Sequence, residues 1–279
     1  MGYKTKKKLL TGLTHILLII CVIAVASPMI WAIIASTQSP GEIYSYPPKF
    51  SLGSSAKRNF GMAWNYFDIG IMMRNSLLIA VIVTAGKILI SLLGALALVY
   101  FRFPLQPFVF FIILLTLMIP IPVIIVPLFR FVSDIGWGNS YWALTLPFFA
   151  SATGTYLFRQ HFMSIPGTIA EAARVDGAGP LRFLFQILVP MSLNTIGAFC
   201  VIQFVYMWNQ YLWPLLVISG RRRQVVQVAM RQITTVGPDG LIDWGIAMAG
   251  SLIALIPPLI IFFLLQEQFM RGFALSQEK

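Results

Sequence analysis

Lys87, Gln203, Tyr206, Asn209 and Tyr211 are polar or ring-bearing groups set inside long apolar runs. Glu171 and Arg174 stand one helical turn apart in a charged stretch between two such runs. An ammonium is costly in hydrocarbon and tends to face the interior of a helix bundle. Lys87 could therefore attract an anionic solute such as a phosphoester. The other reading is a structural lysine, bonded to carbonyls of broken helices or to a partner chain. Gln203, Tyr206, Asn209 and Tyr211 precede Pro214 and could line a sugar-sized cavity through hydrogen bonds and ring stacking. The other reading is polar packing between membrane helices, with Trp208 and Trp213 in an aromatic belt.

Other chemistries lack their residues. A phosphate-cradling loop needs GxxxxGK[ST]. Gly86-Lys87 is the one Gly-Lys pair, but Val81 stands at its first glycine position and Ile88 at its hydroxyl position. Cys21 and Cys200 lie in apolar runs and read as small buried thiols. His15 and His161 are far apart, and no nucleophile or metal constellation appears. The chain is thus expected to be no enzyme and to hold no metal or cofactor. An ion-coupled secondary transporter would want central acids, and no Asp or Glu lies mid-run.

The elements that must position these groups are membrane helices. Of 279 residues, 58% are hydrophobic and only 10% charged, with mean hydropathy +0.82; a soluble domain carries about 25% charge. Hydrocarbon forces every backbone group to pair internally, so apolar runs of about 20 residues should be helices. The period-two alternation of a membrane barrel is missing. A net charge of +11 would suggest nucleic acid in a soluble protein. Here it fits basic residues flanking membrane helices, beside anionic headgroups, and no nucleic-acid partner is expected.

The expected fold is all-α, a polytopic bundle of six spans near 14–35, 75–101, 108–131, 141–158, 192–218 and 244–266. A basic N-terminus (1–13) precedes the first span, an external loop (36–74) follows it, and a C-terminal tail (267–279) ends the chain after a core at 75–266. Ala24-Val25-Ala26 mimics a peptidase site, but apolar character continues to Ala35. A removable signal has a core of only about 7–15 residues, so an uncleaved helix is expected. Pro120, Pro122, Pro127, Pro147, Pro214, Pro257 and Pro258 interrupt the later runs, as ordinary kinks or as cavity-lining breaks. Basic residues divide ten inside against nine outside, so Lys4, Lys6, Lys7 and Lys8 decide the orientation. Both termini are then cytoplasmic. Arg221-Arg222-Arg223 lies outside, as a solvated loop or a contact for an acidic partner.

The charged stretch reads helix, turn, helix. Residues 169–175 are good helix formers, and Gly177, Gly179 and Pro180 break them. Phe183, Leu184, Ile187 and Leu188 then recur at helical spacing. Such a segment along the cytoplasmic face either docks a partner or lies in the interface as an amphipathic helix.

Its residues carry a resemblance. Glu171-Ala172-Ala173, Gly177 after three residues, and Ile187-Leu188-Val189-Pro190 after nine more resemble the EAA loop of permeases in binding-protein-dependent ABC importers; Val189 replaces that family's leucine. Phe101-Arg102-Phe103-Pro104, Arg159-Gln160, the run WNQYLWPL at 208–215 and FMRGF at 269–273 are similar to carbohydrate-uptake permeases, above all the second permease of glycerol-3-phosphate importers. The likeness covers most of the chain from Asn75 onward and is weaker before it.

The resemblance implies a type I importer permease in a bacterial or archaeal plasma membrane, with a cytoplasmic coupling loop at 160–190. Its implied partners are a second, homologous permease, two ATPase subunits that bind the ATP and Mg²⁺, and an external solute-binding protein. By the same resemblance Glu171, Ala172, Ala173, Gly177 and Pro190 couple the chain to an ATPase cleft. The implied cargo is a sugar or a glycerol-3-phosphate-type solute, with maltose or an oligosaccharide as the alternative.

Overall fold

The computed structural model describes residues 3–235 and 241–274. Lys279 and positions 236–240 of the expected loop at 219–243 lie outside the described residues. Among the described residues there is no strand. In chain order the helices are α1 (Tyr3–Thr37), α2 (Pro40–Ile43), α3 (Ala56–Gly61), α4 (Ile69–Tyr100), α5 (Gln106–Thr116), α6 (Ile121–Asp134), α7 (Tyr141–Thr145), α8 (Ala152–Ser164), α9 (Gly167–Val175), α10 (Pro180–Phe183), α11 (Val189–Met191), α12 (Leu193–Trp208), α13 (Leu212–Val217), α14 (Val226–Ile233) and α15 (Trp244–Ala274).

Among the described residues, three helices are long and apolar enough to cross a membrane alone: Leu10–Thr37, Ile69–Tyr100 and Trp244–Gly272. A fourth crossing exists if Pro180–Met191 and Leu193–Trp208, bent by 81°, are taken as one. The third, fourth and fifth expected spans, whose apolar runs the prolines interrupt, are broken into shorter helices in the structure. Pro120, in extended backbone, separates α5 from α6. Pro147 sits in a tight 3₁₀ turn between α7 and α8. The fifth run breaks at Asn209–Tyr211, ahead of Pro214, while α15 continues through Pro257 and Pro258. Proline removes one donor and crowds the preceding turn, but neighbouring contacts decide whether the helix stops there.

Helix α1 begins at Tyr3, and the lysines ahead of its apolar run are good helix formers. The segment after α1 holds α2 and α3 before α4 begins at Ile69.

The chain forms two compact units. In the first, Met1–Ile69 with Met230–Ala254, α1 leaves its large apolar side chains exposed along most of Leu10–Thr37. Such a surface suits lipid rather than water. Beyond it the backbone is tied by buried amides. Asn59 donates to the carbonyls of Ser36 (3.0 Å) and Gln38 (2.8 Å), and Gln38 to those of Lys49 and Ser51, both at 2.8 Å. Glu42 accepts from the Ser39 backbone N–H (2.8 Å) and hydroxyl (2.9 Å), bonds that hold its carboxyl below the usual range.

In the second unit, Gly70–Ala229 with Leu255–Lys279, the core gathers Leu92, Ala95 and Leu96 of α4, Phe158 and Phe162 of α8, Leu184, Leu188 and Phe199. Phe158 and Phe199 meet edge to face, 5.4 Å between centroids. Helices approach closely where side chains are small. A Cβ on Gly154 would lie 2.4 Å from Ser91 Oγ and 2.6 Å from Phe199 Cζ.

Candidate functional site

Two places in the second unit carry polar groups that packing alone does not require. The first is the charged arm. Helix α9 ends at Val175, and Gly177 follows with φ +70°. The Ala178 N–H donates to Ala173 O (2.9 Å) and the Gly177 N–H to Arg174 O (3.1 Å). This double closure is a Schellman stop, and its left-handed position suits glycine. Gly179 and Pro180 start the second helix, as proline at a first helical position should. A widened turn at Leu184–Leu188 follows, where Pro190 lacks the donor that would have closed on Gln186. The arm then meets α12 at the 81° elbow, where buried Ser192 donates to Leu188 O (2.6 Å).

The arm has an inner and an outer face. Ala173, Phe183, Leu184 and Leu188 are buried against α4 and α8, and Phe183 packs edge to face on Tyr100 at 5.0 Å. Glu171, Ala172, Arg174 and Pro190 are exposed, and Val175 is 88% exposed. Ala173 therefore anchors the arm to its own chain, and the outward small residue is Ala172. Beside them a cavity of about 330 Å³ is lined by Tyr100, Arg102, Ala170, Arg174 and Phe183.

The second place lies where α4 meets α12. Lys87, 7% exposed, donates from Nζ to Gln203 Oε1 at 2.7 Å, and its ammonium stands 4.9 Å from the centre of the Tyr206 ring. Asn209, one turn beyond Tyr206 and exposed, accepts through Oδ1 from Gln227 Nε2 of α14 at 3.1 Å. Lys87, Gln203 and Tyr206 thus come together, with Asn209 farther along the stripe. Tyr211 holds the N-cap position of α13, past the break, without a side-chain capping hydrogen bond. Sequence reading missed Thr84, which shares the Lys87 face of α4 one turn earlier; its buried hydroxyl has no hydrogen-bond partner among the described residues. Only the spacing of three could have pointed to it.

The arginine triplet is held from beneath. Asn75 Nδ2 donates to Arg222 O (2.8 Å) and Gln224 O (3.0 Å), and Tyr141 OH donates to Asn75 Oδ1 (3.0 Å). Arg223 donates to Asn139 O, and the Ser76 hydroxyl accepts the first N–H of α14 at 2.9 Å.

Residues 87–274 match the family described as binding-protein-dependent transport system inner membrane component. The sn-glycerol-3-phosphate transport system permease protein UgpE of Pectobacterium atrosepticum is 40% identical over 271 residues, 95% of this chain and 96% of that one. The protein of the same name in Brucella melitensis is 38% identical, covering 92% and 94%. Among solved structures, a bacterial ABC transporter involved in import of the acidic polysaccharide alginate superimposes with TM-score 0.82 at 20% identity, covering 96% of this chain and 99% of that one. A second, the alginate transporter in complex with an alginate pentasaccharide-bound periplasmic protein, gives 0.62 at 17% identity and 96% of each chain.

Proposed function

We propose, from the premise that this chain belongs to the family of binding-protein-dependent transport system inner membrane components, that it is the permease subunit of an ATP-driven importer for a sugar or glycerol-3-phosphate-type solute. The observation that carries this reading is the arm: a glycine-closed helix with Glu171 and Ala172 turned outward, anchored inward by Ala173, and bent by 81° into α12. A rigid element of that form can pass a push on its outer face to a membrane helix.

The permease has six spans. The broken pairs α5/α6, α7/α8 and α12/α13 complete the set begun by α1, α4 and α15. Both termini and the loop at 160–190 are cytoplasmic, and the segment between α1 and α4 is external. A second permease completes the pathway, two ATPases bind ATP and Mg²⁺ and engage Glu171, Ala172, Gly177 and Pro190, and an external binding protein delivers cargo. Cargo passes the stripe of Tyr206 and Asn209, with Gln203 behind it. The relatives' names support glycerol-3-phosphate as the cargo.

Co-purification tests the reading. The ATPase subunits should be recovered with the wild-type chain and lost on Glu171→Lys with Gly177→Asp. Recovery unchanged by the double substitution would refute the assigned docking surface.

A further inference from the structure

We infer that Lys87 is the cargo-binding contact for a phosphomonoester group, with Gln203 and Tyr206 holding its ammonium in position and Thr84 supplying a second donor. The inference rests on the permease reading above and names the cargo chemistry this path selects.

Lys87 is almost fully buried within a membrane helix, and its partners among the described residues, an amide oxygen and a ring face, are both neutral. An ammonium has three donors, and a buried charge without an opposite charge is costly. The ion pairs Arg58–Asp243 and Arg271–Glu267 lie elsewhere among the described residues. Thr84, 3% exposed and one turn earlier on the same face of α4, has a hydroxyl without a hydrogen-bond partner among those residues. Buried polar groups in proteins are mostly hydrogen-bonded; among the described residues Gln38, Arg159, His161, Gln224 and Gln268 also carry an unpaired buried atom, but none of these is on α4 beside Lys87. The N–H groups that Lys87 does not spend on Gln203 and the Thr84 hydroxyl, one helical turn apart, ask for an acceptor, and a charge without its opposite asks for an anion.

The stripe beside this buried pair is exposed. Tyr206 is 38% exposed and Asn209 is exposed, and Asn209 joins Gln227. A polar stripe of that kind is disfavoured against lipid, so this side borders water or a protein-lined path. A phosphate there gains charge-assisted hydrogen bonds from the ammonium and accepts from the hydroxyl. A neutral sugar would leave the charge unmatched.

The test uses the full transporter with its second permease, ATPases and binding protein in proteoliposomes, following labelled sn-glycerol-3-phosphate. Lys87→Met should lower uptake at least tenfold while the complex still co-purifies and retains ATP hydrolysis stimulated by the binding protein. Lys87→Arg should restore most of the uptake, and Thr84→Val should raise KM severalfold with kcat little changed. Wild-type uptake by Lys87→Met overturns the inference. So does loss of the second permease from that variant, which would assign the ammonium to a carboxylate of the partner chain. If the wild type imports only a neutral sugar, this inference falls and the permease reading stands. If it imports nothing in response to ATP, both fall.

Discussion

At Gly177 the backbone enters the left-handed region with φ +70°, where a side chain costs about 1–2 kcal/mol. Gly177→Val should therefore loosen the turn between α9 and α10 while the membrane core stays folded. The expected outcome is normal expression with ATP hydrolysis no longer stimulated by loaded binding protein. Gly154 makes a different prediction. An added Cβ would meet Ser91 and Phe199 well inside contact distance, so Gly154→Ala should destabilise the second unit by about 1–3 kcal/mol, read as a lower melting temperature in detergent. The turn at Gly177 was legible in sequence because glycine and proline act locally. The meeting of Lys87 with Gln203 was not, since it joins residues 116 apart in the chain. The sequence pointed to each polar group separately, and only the packing of α4 on α12 made them neighbours. Ala173 illustrates the reverse: its motif neighbours face outward, but a helix of this period turns it into the core.

Among elements, the turn carrying Arg221–Arg223 is held in part by one buried amide, Asn75. Asn75→Leu would remove the donor to two carbonyls, and each buried group left unpaired costs about 1–3 kcal/mol. The turn should then become more sensitive to trypsin than in the wild type, measured on membranes with the arginine side accessible. Helix breaks were only partly legible. Pro120 and Pro147 do coincide with interruptions, yet Pro257 and Pro258 do not, and the fifth run breaks at Asn209–Tyr211. The tail of α15 packs tightly on α12, with Gln268 against Gly197 and Gly272 against Ala198. Propensity read along the chain contains no information about such neighbours.

For the molecule as a whole, composition was enough to predict helices in a membrane, because lipid permits few alternatives. The span count is harder: only three described helices pass on length and apolarity alone, since the remaining runs are interrupted. Orientation can be measured directly. A cysteine replacing exposed Arg222 should react with an impermeant maleimide in intact cells, and one replacing exposed Val175 only after permeabilisation. The reverse pattern would put the arm on the wrong side for any ATPase.

The central claim, that nucleotide hydrolysis drives cargo through this chain, is tested most directly by uptake of labelled sn-glycerol-3-phosphate into proteoliposomes holding the complete transporter. Uptake should require ATP on the side of the arm and continue after a proton ionophore collapses the gradient. Uptake that persists without ATP and stops with the ionophore would contradict the account.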